Sequence, residues 1–174
     1  APADAPTRDA CLERLWEASG KTLKILTVAP ETIPTDKLNE LVRWCRKRKI
    51  ALSLGHSCAL PAQAEAAFRA GFRGVTHAWN ALPFHHRAPG ALGAALGRKG
   101  VHVELILDGI HVDPTVVRWT RKLHPRGLCM VSDCVPAAAT RSGSWHRFGD
   151  LSITLRDGAC RTRSGALAGG GMLL

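Results

Sequence analysis

Ile50-Ala51-Leu52-Ser53-Leu54-Gly55-His56-Ser57 decides how the chain reads. Its first five residues form a short apolar run of the length expected for a buried strand. A glycine ends the run and a histidine follows at once. Upstream, residues 35–46 place Leu38, Leu41, Val42 and Cys45 at i, i+3, i+4 and i+7, the spacing of a helix with one apolar face. Downstream, residues 61–70 are alanine-rich and open on a proline, which suits a first helical turn. The alternation continues both ways. Residues 23–28, 74–77, 101–107 and 128–131 read as further strands, and 90–96 and 114–123 as further helices. Strand alternating with helix predicts a parallel sheet with crossover helices. Five such units are visible, whereas a complete eight-unit barrel needs about 250 residues. The expected fold is therefore α/β: a partial TIM-type (β/α) barrel of about five βα units. An open doubly wound sheet is the alternative, but no Gly-x-Gly-x-x-Gly turn follows a strand.

From Ser142 onward the texture changes to turn residues between short β-like pieces at 151–155 and 159–162, around the hairpin signal Asp157-Gly158. We expect residues 1–141 to form the partial barrel and residues 142–174 a short β-rich tail. Ala1-Pro2 without an initiator Met, and the abrupt Gly169-Gly170-Gly171-Met172-Leu173-Leu174 end, lead us to expect a chain cut at both ends from a longer protein. The N-terminus shows no basic-then-apolar signal pattern.

Hydrophobic residues make up 45% and charged residues 22% of the sequence, which excludes a disordered chain. No run approaches the roughly 18–20 apolar residues of a membrane span. The six cysteines contain no Cys-x-x-Cys pair, so free thiols in a reducing, cytoplasmic setting are expected. The net charge of +10 admits anionic partners. Its densest cluster, Arg46-Lys47-Arg48-Lys49, follows a helical pattern and reads as the basic last turn of that helix. Aromatic residues are not interleaved with the basic ones, which argues against a nucleic-acid stacking platform.

Ionisable residues fall where the strands end. Glu31 lies three residues past the first strand, His56 just past Leu54, and His77 at the end of Gly74-Val75-Thr76-His77. Asp108 and His111 follow the fourth strand, and Asp133 follows the fifth in Met130-Val131-Ser132-Asp133. In a β/α barrel these ends converge on one mouth, where catalysis occurs. Two histidines on adjacent strands suit a divalent metal ion held by neutral imidazoles. An aspartate two strands further round suits a general base. His85, His86, His102, His124 and His146 read as loop, surface or core hydrogen-bonders.

Thr27-Val28-Ala29-Pro30-Glu31, Gly55-His56-Ser57, Thr76-His77-Ala78-Trp79-Asn80-Ala81, Leu82-Pro83-Phe84-His85-His86-Arg87-Ala88-Pro89-Gly90, Asp108-Gly109-Ile110-His111 and Val131-Ser132-Asp133, in that order, resemble the N-acetylglucosamine-6-phosphate deacetylases. The resemblance runs from about Leu23 to Gly169. It implies a barrel of the metal-dependent amidohydrolase superfamily, acting in amino-sugar catabolism. The reaction it implies is hydrolysis of the acetamide of N-acetylglucosamine 6-phosphate to glucosamine 6-phosphate and acetate. His56 and His77 match the family's metal-binding histidines, with zinc or iron as the ion, and Asp133 matches its catalytic aspartate. Asn80, Ala81, Arg87 and His111 match positions that hold the sugar phosphate. Leu167-Ala168-Gly169 matches a loop that closes over the substrate. Full-length members are expected to be homo-oligomers, with a small phosphorylated amino sugar as partner and no membrane.

The chain also departs from that pattern. The family's third metal ligand is a glutamate in a His-Leu-Glu-Gly-Pro segment, which this sequence lacks, and Glu31 is not that ligand. Gly170 stands where the family has a serine. Impaired activity is therefore expected of this chain. An inactive remnant of a deacetylase, and a basic nucleic-acid-binding module, are the other readings.

Overall fold

The computed structural model describes residues 8–171. A five-stranded parallel sheet lies at its centre, with strands in chain order: β1 (Ile25–Val28), β2 (Ala51–Leu54), β3 (Gly74–Val75), β4 (His102–Ile106) and β5 (Leu128–Val131). One level of the sheet runs through Val28, Leu54, Val75, Val103 and Leu128, paired strand to strand. Helix α1 (Arg8–Ala18) precedes β1, and α2 (Thr35–Arg48), α3 (Pro61–Ala70), α4 (Gly90–Ala95) and α5 (Pro114–Leu123) follow β1 to β4 in turn. The mixed α/β architecture and the parallel order are those expected from the alternation.

The core forms between the sheet and these helices. Leu54, Val75 and Val103 are fully buried there with Phe68, Phe72 and Leu92. Such side chains each contribute about 1.5–3 kcal/mol by leaving water. Helix α2 runs two residues further than its apolar spacing suggested, so Arg46, Lys47 and Arg48 lie in its last turn. There they face the negative end of the helix dipole. Arg48 also bonds Glu13 at 2.7 Å and lies over the Trp44 ring, tying α1 to α2. α1 itself was not expected from the sequence, although Leu12, Leu15 and Trp16 have helical spacing. Leu12 and Trp16 pack on the core, while Leu15 is exposed.

Beyond β5 a short 3-10 turn (Pro136–Ala139) leads to a four-stranded antiparallel sheet: β6 (Trp145–Phe148), β7 (Leu151–Arg156), β8 (Ala159–Thr162) and β9 (Leu167–Gly170). Asp157 and Gly158 link β7 and β8 with φ of 50° and 79°, the two positive values that a tight hairpin turn needs. Ala137, Ile153 and Cys160 bury a small core of their own. Two strands, β6 and β9, go beyond what the sequence predicts. Leu167-Ala168-Gly169, expected as a loop, lies on β9. Gly170 at its end pairs with Cys134, and its N–H donates to the Asp133 carbonyl at 2.9 Å. A Cβ on Gly170 would sit 2.0 Å from the Ser132 carbonyl oxygen, so a serine cannot take this place as the chain stands.

Cys45, Cys58, Cys129, Cys134 and Cys160 carry free thiols, with Cys45 and Cys160 buried. Burial pushes the Cys45 thiol up to about 11. Among the described residues no helix is long and apolar enough to cross a membrane.

Candidate active site

The C-terminal ends of β2, β3 and β5 share an uncommon backbone. His56, His77, Trp79, Ala81 and Asp133 have φ of 48°, 34°, 74°, 49° and 48°, five of the eight non-glycine residues with positive φ among the described residues. For residues with a Cβ this conformation costs on the order of 1–3 kcal/mol each and persists only where the surroundings enforce it. Around His56 the enforcement is visible. Gly55 is squeezed between β1 and β3, where a Cβ would come within 2.7 Å of Thr27 and 2.9 Å of Thr76. Thr27 and Ser53 hydroxyls meet the Thr76 hydroxyl at 2.9 and 2.7 Å, stitching the three strands just below the site.

On this frame the two histidines converge. His56 Nε2 and His77 Nε2 are 2.9 Å apart, with ring planes nearly perpendicular at 89°. His77 is buried, and its Nδ1–H donates to the Asn80 carbonyl at 3.1 Å. That bond places the ring proton on Nδ1 and leaves the Nε2 lone pair turned toward His56. The His77 backbone N–H donates to Glu104 on β4 at 3.3 Å. A backbone acceptor on the far nitrogen is the usual support of a metal-ligating imidazole. One ion bonded to both Nε2 atoms at about 2.0–2.1 Å would hold them within about 4.2 Å of each other, so the pair fits a shared ion. Among the described residues no third His, Cys, Asp or Glu joins them.

Glu31 is otherwise engaged. Its carboxylate accepts from Ser57 Oγ at 2.7 Å and from the Cys58 N–H at 2.6 Å. Asp133 stands at the end of β5, exposed, and its carbonyl is the atom bonded by Gly170. Asp108 accepts from the Ile110 and His111 N–H groups at 2.9 Å, and from His111 Nδ1 at 2.6 Å. The Asp108 and His111 side chains are only 5% and 3% exposed. His111 Nε2 is buried without a partner among the described residues. Burial works to raise the Asp108 carboxyl, but the hydrogen bonds from His111 and Ile110 outweigh it and hold the group below its usual range. Folding thus favours the charged form, and the stability this gives is present above about pH 3.9 and lost as pH falls through the lower folded value. Asp108→Asn should lose that part of the acid dependence, measurable by urea unfolding between about pH 5 and 3; an unchanged slope would contradict it.

The remaining expected residues lie in the long turn after β3. Asn80 N donates to the His77 carbonyl at 2.9 Å, and Asn80 Nδ2 donates to the Ala78 carbonyl at 3.3 Å. Ala81 follows in the left-handed conformation. Arg87 is exposed and hydrogen-bonds the neighbouring His86 ring at 2.8 Å.

No family model matches the chain. It is 36% identical over 164 residues to the N-acetylglucosamine-6-phosphate deacetylase of Bacillus subtilis, covering 92% of this chain and 40% of that protein. It is 33% identical over 159 residues to the N-acetylgalactosamine-6-phosphate deacetylase of Escherichia coli O157:H7, covering 91% and 41%. The crystal structure of the Thermotoga maritima N-acetylglucosamine-6-phosphate deacetylase superposes with a TM-score of 0.81 at 35% identity, over 96% of this chain and 44% of that one. The Mycobacterium smegmatis enzyme superposes with a TM-score of 0.83 at 27% identity, again over 96% of this chain. The chain is thus similar to part of the N-acetylglucosamine-6-phosphate and N-acetylgalactosamine-6-phosphate deacetylases. It spans about 40% of the length of the curated relatives it matches.

The supports of the site are what the sequence does not announce. Glu104 reads only as part of a strand, yet it bonds the His77 backbone. Asp108 is placed at a strand end without its bond to His111. Ser57 reads as part of a Gly-His-Ser motif, and its hydroxyl proves to bind Glu31. A part-buried carboxylate such as Glu104, between Val103 and Leu105 in a strand, is the one local signal that could have pointed to such a role.

Proposed function

We propose that this chain is the part of a deacetylase that hydrolyses the acetamide of N-acetylglucosamine 6-phosphate to glucosamine 6-phosphate and acetate. The meeting of two imidazole Nε2 atoms at 2.9 Å, at the edge where the parallel strands end, carries this reading. Similarity to the deacetylases over nine-tenths of this chain supports it. We take the parallel sheet as an arc of a TIM-type barrel within residues 1–141, with its mouth at those strand ends, and residues 142–174 as the tail beside that mouth.

His56 and His77 would hold a divalent ion, zinc or iron, together with a carboxylate that the family supplies from a segment this sequence does not contain. When bound, the ion is a Lewis acid that lowers the pKa of water to about 7 and polarises an amide carbonyl. Asp133 takes the proton of the attacking water on a carboxylate oxygen. It returns that proton to the amide nitrogen as the carbon–nitrogen bond breaks, so acetate and a free amine leave. Asp108 fixes His111 by its Nδ1–H, so that Nε2 is turned to the sugar phosphate or to a sugar hydroxyl. Asn80 and Ala81 line the same side, and Leu167-Ala168-Gly169 on β9 closes it beside Asp133. Arg87 offers phosphate a planar, forked pair of donors. The partner is a small phosphorylated amino sugar in the cytoplasm, handled by a homo-oligomer in the full-length proteins.

Grafting residues 23–169 in place of the equivalent segment of the Thermotoga maritima enzyme tests this. Metal-dependent acetate release from N-acetylglucosamine 6-phosphate is expected, with N-acetylgalactosamine 6-phosphate assayed alongside. A folded graft that binds zinc and releases no acetate would favour the inactive remnant. In the same graft, Arg87→Ala should lower kcat/KM for the phosphorylated sugar about 10²-fold, as expected for loss of a charge-assisted contact of about 1.5–3 kcal/mol or more. Unphosphorylated N-acetylglucosamine should be hardly affected; equal losses on both would make Arg87 a solvated loop residue.

A further inference from the structure

We infer that Glu31 is a positioning residue for His56, acting through the two residues that follow that histidine; the inference rests on His56 and His77 forming a metal site. Glu31 sits in the 3-10 turn Pro30–Thr32 after β1, one strand away from His56. Its carboxylate reaches across and uses both oxygens on consecutive residues, Oε2 on the Ser57 hydroxyl at 2.7 Å and Oε1 on the Cys58 N–H at 2.6 Å. Ser57 is buried, and its Oγ in turn accepts the Ala59 N–H at 3.1 Å. The clamp therefore fixes the whole turn from Ser57 to Ala59.

His56 needs such a clamp. It is exposed, its φ of 48° is strained for a side chain with a Cβ, and the partner ring of His77 is the one contact of its imidazole among the described hydrogen bonds. Packing of its own side chain does not hold it. The backbone on its amino side is pinned by Gly55, wedged between Thr27 and Thr76. The backbone on its carboxyl side is pinned by Glu31. With both flanks fixed, the Nε2 atom is delivered to His77. Without Glu31, His56 can relax to negative φ, which swings the imidazole away from its partner. A carboxylate also suits this task electrostatically, since hydrogen bonds to a charged acceptor are shorter and about twice as strong as neutral ones.

The test is zinc titration of the 174-residue chain, read by competition with a chromophoric chelator. The unchanged chain is compared with Glu31→Ala, Glu31→Gln, Ser57→Ala and His56→Ala. Supporting groups of metal ligands are worth about 10–100-fold in metal affinity, and a loss in that range is expected for Glu31→Ala. Glu31→Gln keeps an acceptor for the Cys58 N–H and should recover most of it. Ser57→Ala, which leaves the Cys58 bond intact, should fall at the low end, about tenfold, and serves where Glu31→Ala does not fold. Val42→Ala, a core truncation in α2, separates positioning from stability: it should melt earlier with zinc affinity unchanged. Zinc binding by Glu31→Ala within about twofold of the unchanged chain, with binding lost in His56→Ala, would overturn the inference and leave the metal site standing. The inference falls equally if Glu31→Gln binds as poorly as Glu31→Ala, or if Val42→Ala loses zinc affinity to the same degree. Binding by His56→Ala equal to the unchanged chain would remove the metal site and the inference with it.

Discussion

His77→Ala is expected to weaken zinc binding by the chain at least about 100-fold. His77 supplies one of only two imidazoles at the site, and its Nε2 is the atom that His56 faces at 2.9 Å. The ring is also the better organised of the two. It is buried, with its Nδ1–H committed to the Asn80 carbonyl. His56 is exposed and depends on its neighbours for placement. Removing His77 therefore removes the preorganised ligand and strands the Asn80 carbonyl as well. Loss of folding is not expected to account for the result, because the strands below are held by the Thr27, Ser53 and Thr76 hydroxyls and by the aliphatic core. Isothermal titration with zinc, alongside thermal melts without metal, checks this. An affinity within about tenfold of the unchanged chain would mean that zinc binds elsewhere.

Asp133→Asn in the grafted enzyme is expected to reduce turnover by about 10²–10⁴-fold, the usual contribution of a positioned general base. Zinc affinity and KM should stay close to those of the unchanged graft. The structure makes this substitution a clean one. Among the described residues the Asp133 side chain makes no hydrogen bond, and the bond that anchors β9 uses its backbone carbonyl. Its φ of 48° lies in the left-handed region, which asparagine tolerates better than alanine does. Asparagine thus keeps the shape and the backbone while losing the ability to take a proton. Turnover that survives, or that falls only in step with zinc binding, would remove Asp133 from the base role.

Much of this arrangement was legible along the chain. The boundaries of α3, α5, β5 and β8 follow from apolar spacing, opening prolines and the Asp157-Gly158 turn. Elements whose sequence mixes polar and apolar residues were not legible. Trp145-His146-Arg147-Phe148 gives no clean alternation, and Leu167–Gly170 is too rich in glycine to read as a strand. β9 exists because Gly170 can approach the Ser132 carbonyl where any side chain would collide. That is a property of the neighbour rather than of the segment.

The sequence by itself determined the alternation of strand and helix, and with it that His56, His77, Asp108 and Asp133 follow parallel strands and share one edge. It could do so because apolar periodicity reports burial residue by residue. Only the tertiary structure decided that His56 and His77, 21 residues apart, meet through their Nε2 atoms. It also decided that Glu31 is consumed by Ser57 and Cys58, and that Asp108 is spent on His111. Those outcomes depend on strand register, on left-handed backbone at the strand ends, and on which donor first reaches each carboxylate. None of these is set by a residue's neighbours in sequence.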